Sequence, residues 1–176
     1  MWQIDNHGYI VEVEKTTEYD KLEMVGEEDK SITFKYGTII SQKTYEYEKD
    51  KTYDVWKVRG DENATKIFKF MSDNITGSRT KVEIGLAQTG IAGDKGLNFI
   101  TTGHARGREP GLTYLFKDQL QNGYTIRTIT HSHPESNYAS KGDKKFVEWI
   151  KSIYNRPLLF NIYYVPSGEY INIPQL

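Results

Sequence analysis

The 176-residue chain has no cysteine. Disulfide frameworks, thiolate zinc sites and cysteine nucleophiles are thereby excluded. The absence leaves the compartment open, because it suits the cytosol and equally suits a segment that must unfold, cross membranes and refold without a disulfide-making partner. An excess of either charge is lacking too: 23 Lys and Arg stand against 24 Asp and Glu, a formal net charge of -1. Phosphate recognition depends on clustered cations, so no nucleic-acid partner is expected. No apolar run approaches membrane-spanning length, and Met1-Trp2-Gln3-Ile4-Asp5 lacks the basic and apolar stretches of a signal peptide. No membrane partner is expected either. The strand-like run from Tyr9 to Glu14 follows with no leader, which suggests a piece cut from a longer polypeptide, with Met1 as an added start.

Aromatic bulk is plentiful. Thirteen Tyr, seven Phe and three Trp accompany 37% hydrophobic and 27% charged residues, the composition of a folded chain with a real core. Residues 1 to 58 alternate short β-prone runs (Tyr9 to Val13, Ser31 to Phe34, Thr38 to Ile40, Tyr53 to Val58) with charged and Gly punctuation, a β-rich lead-in. From Asp61, placed as a cap, Ala64, Ile67, Phe68 and Met71 fall at helical spacing. Strands are expected over 81–86 and 97–102, then a helix over 109–121 closed by Gly123 and a strand over 124–133. A helix from about 141 to 154 and two strands joined by Pro166-Ser167-Gly168 complete the chain. This order predicts an α/β sandwich with a mixed sheet.

The chemistry concentrates in His131-Ser132-His133-Pro134 and Ser140-Lys141-Gly142-Asp143. Side chains two apart on a strand share a face, so His131 and His133 can share one ion. An isolated H-x-H reads as a wet strand end. Pro134 changes that by stopping the ladder at once, which sets both rings on the lip of the sheet. Asp143 then offers a third ligand and leaves a fourth position open, as a catalytic zinc requires. Ser140-x-x-Asp143 also has the form of a capping box. The two readings combine, because a capped first turn is a rigid mount for a ligand carboxylate and the Ser hydroxyl can still donate to a developing oxyanion.

A zinc-held water needs a carboxylate to take its proton and pass it to a leaving amine. Glu83 fits best: Val82, Ile84 and Leu86 form one apolar face, while Glu83, Gly85 and Ala87 form the other, whose small neighbours would leave room for substrate. Glu109 and Glu135 are rivals for the role. His104 either hydrogen-bonds substrate or the zinc-held water, or is an ordinary loop histidine. Arg106 and Arg108 either steer an acidic substrate group or belong to a solvated loop.

Together, Glu83, His131-x-His133 and Ser140-x-x-Asp143 resemble the JAMM (JAB/MPN-type) metalloprotease motif over residues 61 to 173. Val58-Arg-Gly-Asp-Glu-Asn63, Gly90-Ile-Ala-Gly93, Gly96-Leu-Asn-Phe99 and Tyr124-Thr-Ile-Arg127 are similar to JAB-like toxin domains at the C-termini of bacterial Rhs-type polymorphic toxins. Trp2-x-Ile-Asp5 and Tyr19-Asp-Lys-Leu22 extend that likeness over nearly the whole chain. The resemblance implies an MPN-like fold of cytidine deaminase-like layout over 59–176, preceded by the lead-in 1–58 packed on the core. It implies zinc on His131, His133 and Asp143, with Glu83 as general acid/base and Ser140 as oxyanion support. The implied activity is zinc-dependent cleavage of a peptide or isopeptide bond, with a peptide or ubiquitin-like protein as substrate. Delivery as the tip of a large secreted toxin and a cognate immunity protein follow from the same likeness. Six residues, Pro134 to Ala139, separate the second His from the Ser, one fewer than the usual motif. The shorter loop leaves Ser136 or a water as alternatives for the oxyanion role. The competing readings are a catalytically inactive MPN-like binding module and a metal-dependent hydrolase of another substrate class, such as a nucleoside.

Overall fold

A computed structural model describes residues 1–174. Four strands form an N-terminal sheet: β1 (Trp2–Ile4), β2 (Ile10–Val13), β3 (Tyr19–Met24) and β4 (Glu27–Lys35), in the order β2-β1-β3-β4, with only β1 and β3 parallel. Seven more build the main sheet: β5 (Ile39–Glu48), β6 (Lys51–Arg59), β7 (Val82–Thr89), β8 (Leu97–Arg106), β9 (Ile126–His133), β10 (Leu159–Tyr164) and β11 (Glu169–Asn172). Their order is β11-β10-β9-β7-β8-β6-β5, antiparallel except for β9 and β10. Three helices flank it: α1 (Asp61–Met71), α2 (Pro110–Leu115) and α3 (Lys141–Ile153). The architecture is mixed α/β with a β-rich N-terminal region, consistent with an MPN-like fold.

Each face of the main sheet has its own core because its strands alternate. Val82, Ile84 and Leu86 of β7 pack with Trp56 and with Ala64, Ile67, Phe68 and Met71 of α1, and the N-terminal sheet adds Ile4, Leu22 and Met24 there. Ala87 points the other way, to a core of Phe99, Leu112, Phe116, Ile129 and Ile150 under α2 and α3. Burying one such large side chain stabilises the fold by about 1.5–3 kcal/mol. Parallel neighbours need a crossover, and α3 supplies it between β9 and β10. The helix must therefore begin just beyond the end of β9, which brings its first turn to the two histidines.

Several elements differ from expectation. Gly60, at φ 83, is the N-cap of α1 rather than Asp61, because a left-handed turn into a helix favours glycine. Asp61 instead accepts hydrogen bonds from Gly93 N (2.9 Å) and Arg127 Nη2 (2.7 Å), tying the 90–96 loop to the helix start. Glu109 caps α2, and Pro110 takes the first helical position, where no N–H is needed. Both α1 and α2 run on into π-helical turns, Ser72–Thr76 and Phe116–Leu120. Strands β1 and β3 lie outside the expected runs, β5 continues to Glu48, and β8 continues to Arg106. The lead-in contributes β5 and β6 to the main sheet, and residues 58 and 59 both lie within β6, next to α1. Of the expected unit 59–176, residues 175 and 176 lie outside the described residues.

Candidate metal centre and cleft

Strand alternation places His131 and His133 on the α2–α3 side of β9, only 7% and 5% exposed, with Ser132 on the opposite face. The Nε2 atoms of the two rings stand 2.9 Å apart. Asp143, in the first turn of α3, reaches His131 Nε2 with Oδ1 at 3.0 Å and His133 Nε2 with Oδ2 at 3.4 Å. A capping box holds it there: Ser140 N donates to Asp143 Oδ2 at 2.6 Å, and Asp143 N donates to Ser140 Oγ at 3.2 Å. The cap and the mount of this carboxylate are thus one structure. Facing ring nitrogens can share only one hydrogen, and both also face carboxylate oxygens, an arrangement that suits a cation held in common. His133 Nδ1 lies 3.1 Å from both the carbonyl oxygen and the hydroxyl of Ser136. Donation to that carbonyl keeps the hydrogen on Nδ1 and leaves the Nε2 lone pair free for an ion. Ser136 therefore serves as an orienting partner for His133.

Glu83 stands across from this group on β7. One donor atom each from Glu83, His131 and His133 lie within 4.8 Å of one another. Two candidate trios therefore share the histidines, one completed by Asp143 and one by Glu83. Electrostatics separates them. Burial pushes the Glu83 carboxyl up to about 8, with neighbouring Asp143 and Glu109 adding to the rise against the opposing pull of His133. Burial would also raise Asp143, but hydrogen bonds with His131 and His133 hold it well below the usual carboxylate range. Asp143 is the ionised carboxylate that a cation wants, and Glu83 is poised to gain or lose a proton near neutrality.

The backbone at Glu83 is irregular on both sides. Pairing of β7 with β9 ends at Gly85 and His131, and the next N–H, that of Ile84, donates to Ser132 Oγ at 2.8 Å instead of to a backbone carbonyl. Thr76 Oγ1 lies 2.7 Å from the same hydroxyl and donates to the Val82 carbonyl at 2.6 Å. Buried hydroxyls from the π turn and from the centre of the H-x-H triplet thus replace ladder bonds where β7 parts from β9. Sequence reading missed both residues; the signal available was a polar residue between two histidines on a strand buried on both faces.

The expected space for substrate beside Gly85 is occupied. A Cβ there would fall 2.5 Å from Leu112 Cγ and 2.6 Å from Thr101 Oγ1, so the glycine admits α2 against the sheet. Open space lies instead in a cleft of about 470 Å³ lined by Glu83, both histidines, Ser140, Asp143 and Phe146, among others. Glu109, Glu135 and Arg108 also line it. Glu109 accepts from Thr101 Oγ1, Gly103 N and Leu112 N as a helix cap. Glu135 pairs with Lys81 at the surface. Burial pushes the Glu109 carboxyl up too, to about 7, but its oxygens are committed to those three donors and Glu135 is committed to Lys81. Arg106 lines a separate hollow with His7 and Arg79. His104 does not line the cleft: its ring stacks on Tyr9 and approaches buried Asp54.

Residues 56–148 match the family model described as JAB-like toxin 1. The match runs from β6 into α3 and takes in Glu83, both histidines and the Ser140–Asp143 turn. No curated protein and no solved structure matches the chain.

Proposed function

The chain belongs to the JAB-like toxin 1 family, and from that footing we propose that it is a zinc-dependent peptidase or isopeptidase acting as a secreted toxin domain. The observation that carries the reading is the Asp143 carboxylate set against both His Nε2 atoms, with protonatable Glu83 buried beside them.

The donor set fits zinc. Two imidazole nitrogens and one carboxylate oxygen are a usual catalytic set, and tetrahedral zinc with bonds of about 2.0–2.1 Å would space its donors by about 3.3 Å. The two Nε2 atoms stand 2.9 Å apart, and Asp143 turns a separate oxygen toward each, Oδ1 at 3.0 Å from His131 and Oδ2 at 3.4 Å from His133, so each donor pair falls near that spacing. His131, His133 and Asp143 would hold the ion. When bound, zinc supplies Lewis acidity, polarising a carbonyl and making a water acidic enough to deprotonate near neutral pH.

The chain's own groups do the rest. Glu83 takes the proton of the attacking water and delivers it to the leaving amine, the work of a carboxyl group whose pKa lies near the operating pH. Ser140 Oγ accepts from Asp143 N and so retains its own hydrogen to donate to the developing oxyanion. Ser136 keeps His133 in the ligating tautomer. Leu112 and Phe146, on the cleft wall, offer apolar contact to a bound substrate.

The partners of this reading are a peptide or ubiquitin-like protein substrate and a cognate immunity protein in the producing cell, with no role for nucleic acid or membrane. Among the described residues no helix is long and apolar enough to cross a membrane. Delivery belongs to a larger secreted protein of which this chain is the C-terminal part. The test is hydrolysis of peptide and isopeptide-linked substrates by zinc-loaded protein. Wild type cleaves, Glu83→Gln binds zinc without cleaving, and His133→Ala does neither. Zinc-loaded wild type that cleaves no substrate of either kind overturns the proposal.

A further inference from the structure

The turn Asp5–Tyr9 touches the approach to β7, the strand that carries Glu83, and the neighbouring β8, and we infer that it is a positioning element for that carboxylate, acting through His104. The inference rests on the reading of Glu83 as the acid/base. Pairing between β7 and β8 runs from Val82 opposite Arg106 directly to Ile84 opposite Thr102, so Gly103, His104 and Ala105 bulge out across from Glu83. A bulge of this kind re-aims the side chain opposite it.

The bulge is held from outside the sheet. His104 has φ 53, a left-handed conformation uncommon for a residue with a side chain and kept only where surroundings enforce it. Its ring stacks on Tyr9 with centroids 3.8 Å apart, Nδ1 donates to the His7 carbonyl at 3.0 Å, and Nε2 lies 3.3 Å from buried Asp54 Oδ2. The turn is itself rigid: Asp5 Oδ1 accepts from His7 N at 2.8 Å and from Tyr9 N at 2.9 Å. Gly8, at φ 82, lies so close to Thr102 that a Cβ would come within 3.2 Å of its side chain. The Asn6 carbonyl accepts from Thr80 Oγ1 at 2.6 Å, three residues before Glu83. Wholly buried Ile4 anchors the strand leading into the turn.

One short turn is thus pinned to the approach of β7 and to the bulge of β8, and Glu83 sits between those attachments. Residues 5–9 lie outside the stretch matched by the family model. The positioning element is therefore contributed by the N-terminal sheet, and His104, Tyr9 and Thr80 are positioning residues.

The experiment compares zinc-loaded full chains carrying Tyr9→Ala with Thr80→Val, Tyr9→Phe, or Ile32→Ala. The last is a control that loosens the same sheet without touching the turn. The double variant should lose at least roughly tenfold in kcat, as small misplacements of a reacting group do, while KM and zinc affinity stay unchanged. Tyr9→Phe keeps the stacked ring and should retain wild-type kcat. Amide hydrogen exchange over 82–84 and 102–106 should quicken in the double variant and not in Ile32→Ala. Unchanged kcat and exchange in the double variant, or equal changes in Ile32→Ala, overturn the inference. If zinc-loaded wild type cleaves neither peptide nor isopeptide bonds, the peptidase reading fails, and the exchange comparison still decides whether the turn positions Glu83.

Discussion

Ser132 Oγ accepts the backbone N–H of Ile84 at 2.8 Å, replacing a ladder bond one residue beyond Glu83. The residue between the two histidines therefore sets where β7 leaves β9 and presents its carboxylate.

Ser132→Ala strands the buried Ile84 N–H and removes the hydroxyl beside Thr76, which keeps its own donation to the Val82 carbonyl. Stranding buried polar groups costs about 1–3 kcal/mol. Denaturant unfolding should show a loss of that size. Turnover should fall while zinc affinity, set by residues on the other face of β9, is retained.

Ser140 has two roles that one substitution separates. Glycine caps helices nearly as well as serine, so Ser140→Gly should cost only a few tenths of a kcal/mol. It removes the hydroxyl hydrogen, and losing one oxyanion donor lowers kcat by about a hundredfold or more. A kcat equal to wild type would leave Ser140 as a cap alone.

The metal-free protein should lose stability as pH rises from about 4.5 to about 8. Burial raises the folded-state pKa of Glu83 from 4.5 to about 8. Its stabilising contribution is therefore complete below the unfolded pKa and lost as pH climbs through the folded one. Burial would lower His133, but its hydrogen bond to Asp143 and the nearby Glu83 carboxylate raise it overall, so it adds loss in the same direction. Asp143, held low, contributes above its unfolded value of 3.8 and loses that contribution only as pH falls below it. Thermal melts in chelator should show Glu83→Gln gaining on wild type steadily between pH 5 and pH 8. A constant difference across that window would show that Glu83 is not a buried, protonated carboxyl.

The site was more legible in the sequence than its surroundings. His131 and His133 could be paired because strand alternation has a fixed period, and Ser140 with Asp143 because a capping box is local. The aim of Asp143 at both imidazoles is not local. It follows from the crossover that α3 makes between β9 and β10. Gly85 misled for a similar reason, since a missing side chain marks close approach without saying what approaches, and here it is Leu112. Strand β5 looked short because Ser41, Gln42 and Lys43 end the apolar run after Ile40, yet farther along Tyr45 stacks on Tyr53 and Tyr47 on Tyr114. The bulge at His104 depends on Tyr9 and Asp54, distant in the chain, and no local pattern announces it.

Asp143 as ligand and Glu83 as proton carrier are the centre of the account, and calorimetric zinc titration of wild type, Asp143→Asn and Glu83→Gln tests that division most directly. Wild type and Glu83→Gln should each bind one zinc with similar affinity, and Asp143→Asn should bind it far more weakly. Retained affinity in Asp143→Asn together with loss in Glu83→Gln would make Glu83 the third ligand and contradict the account.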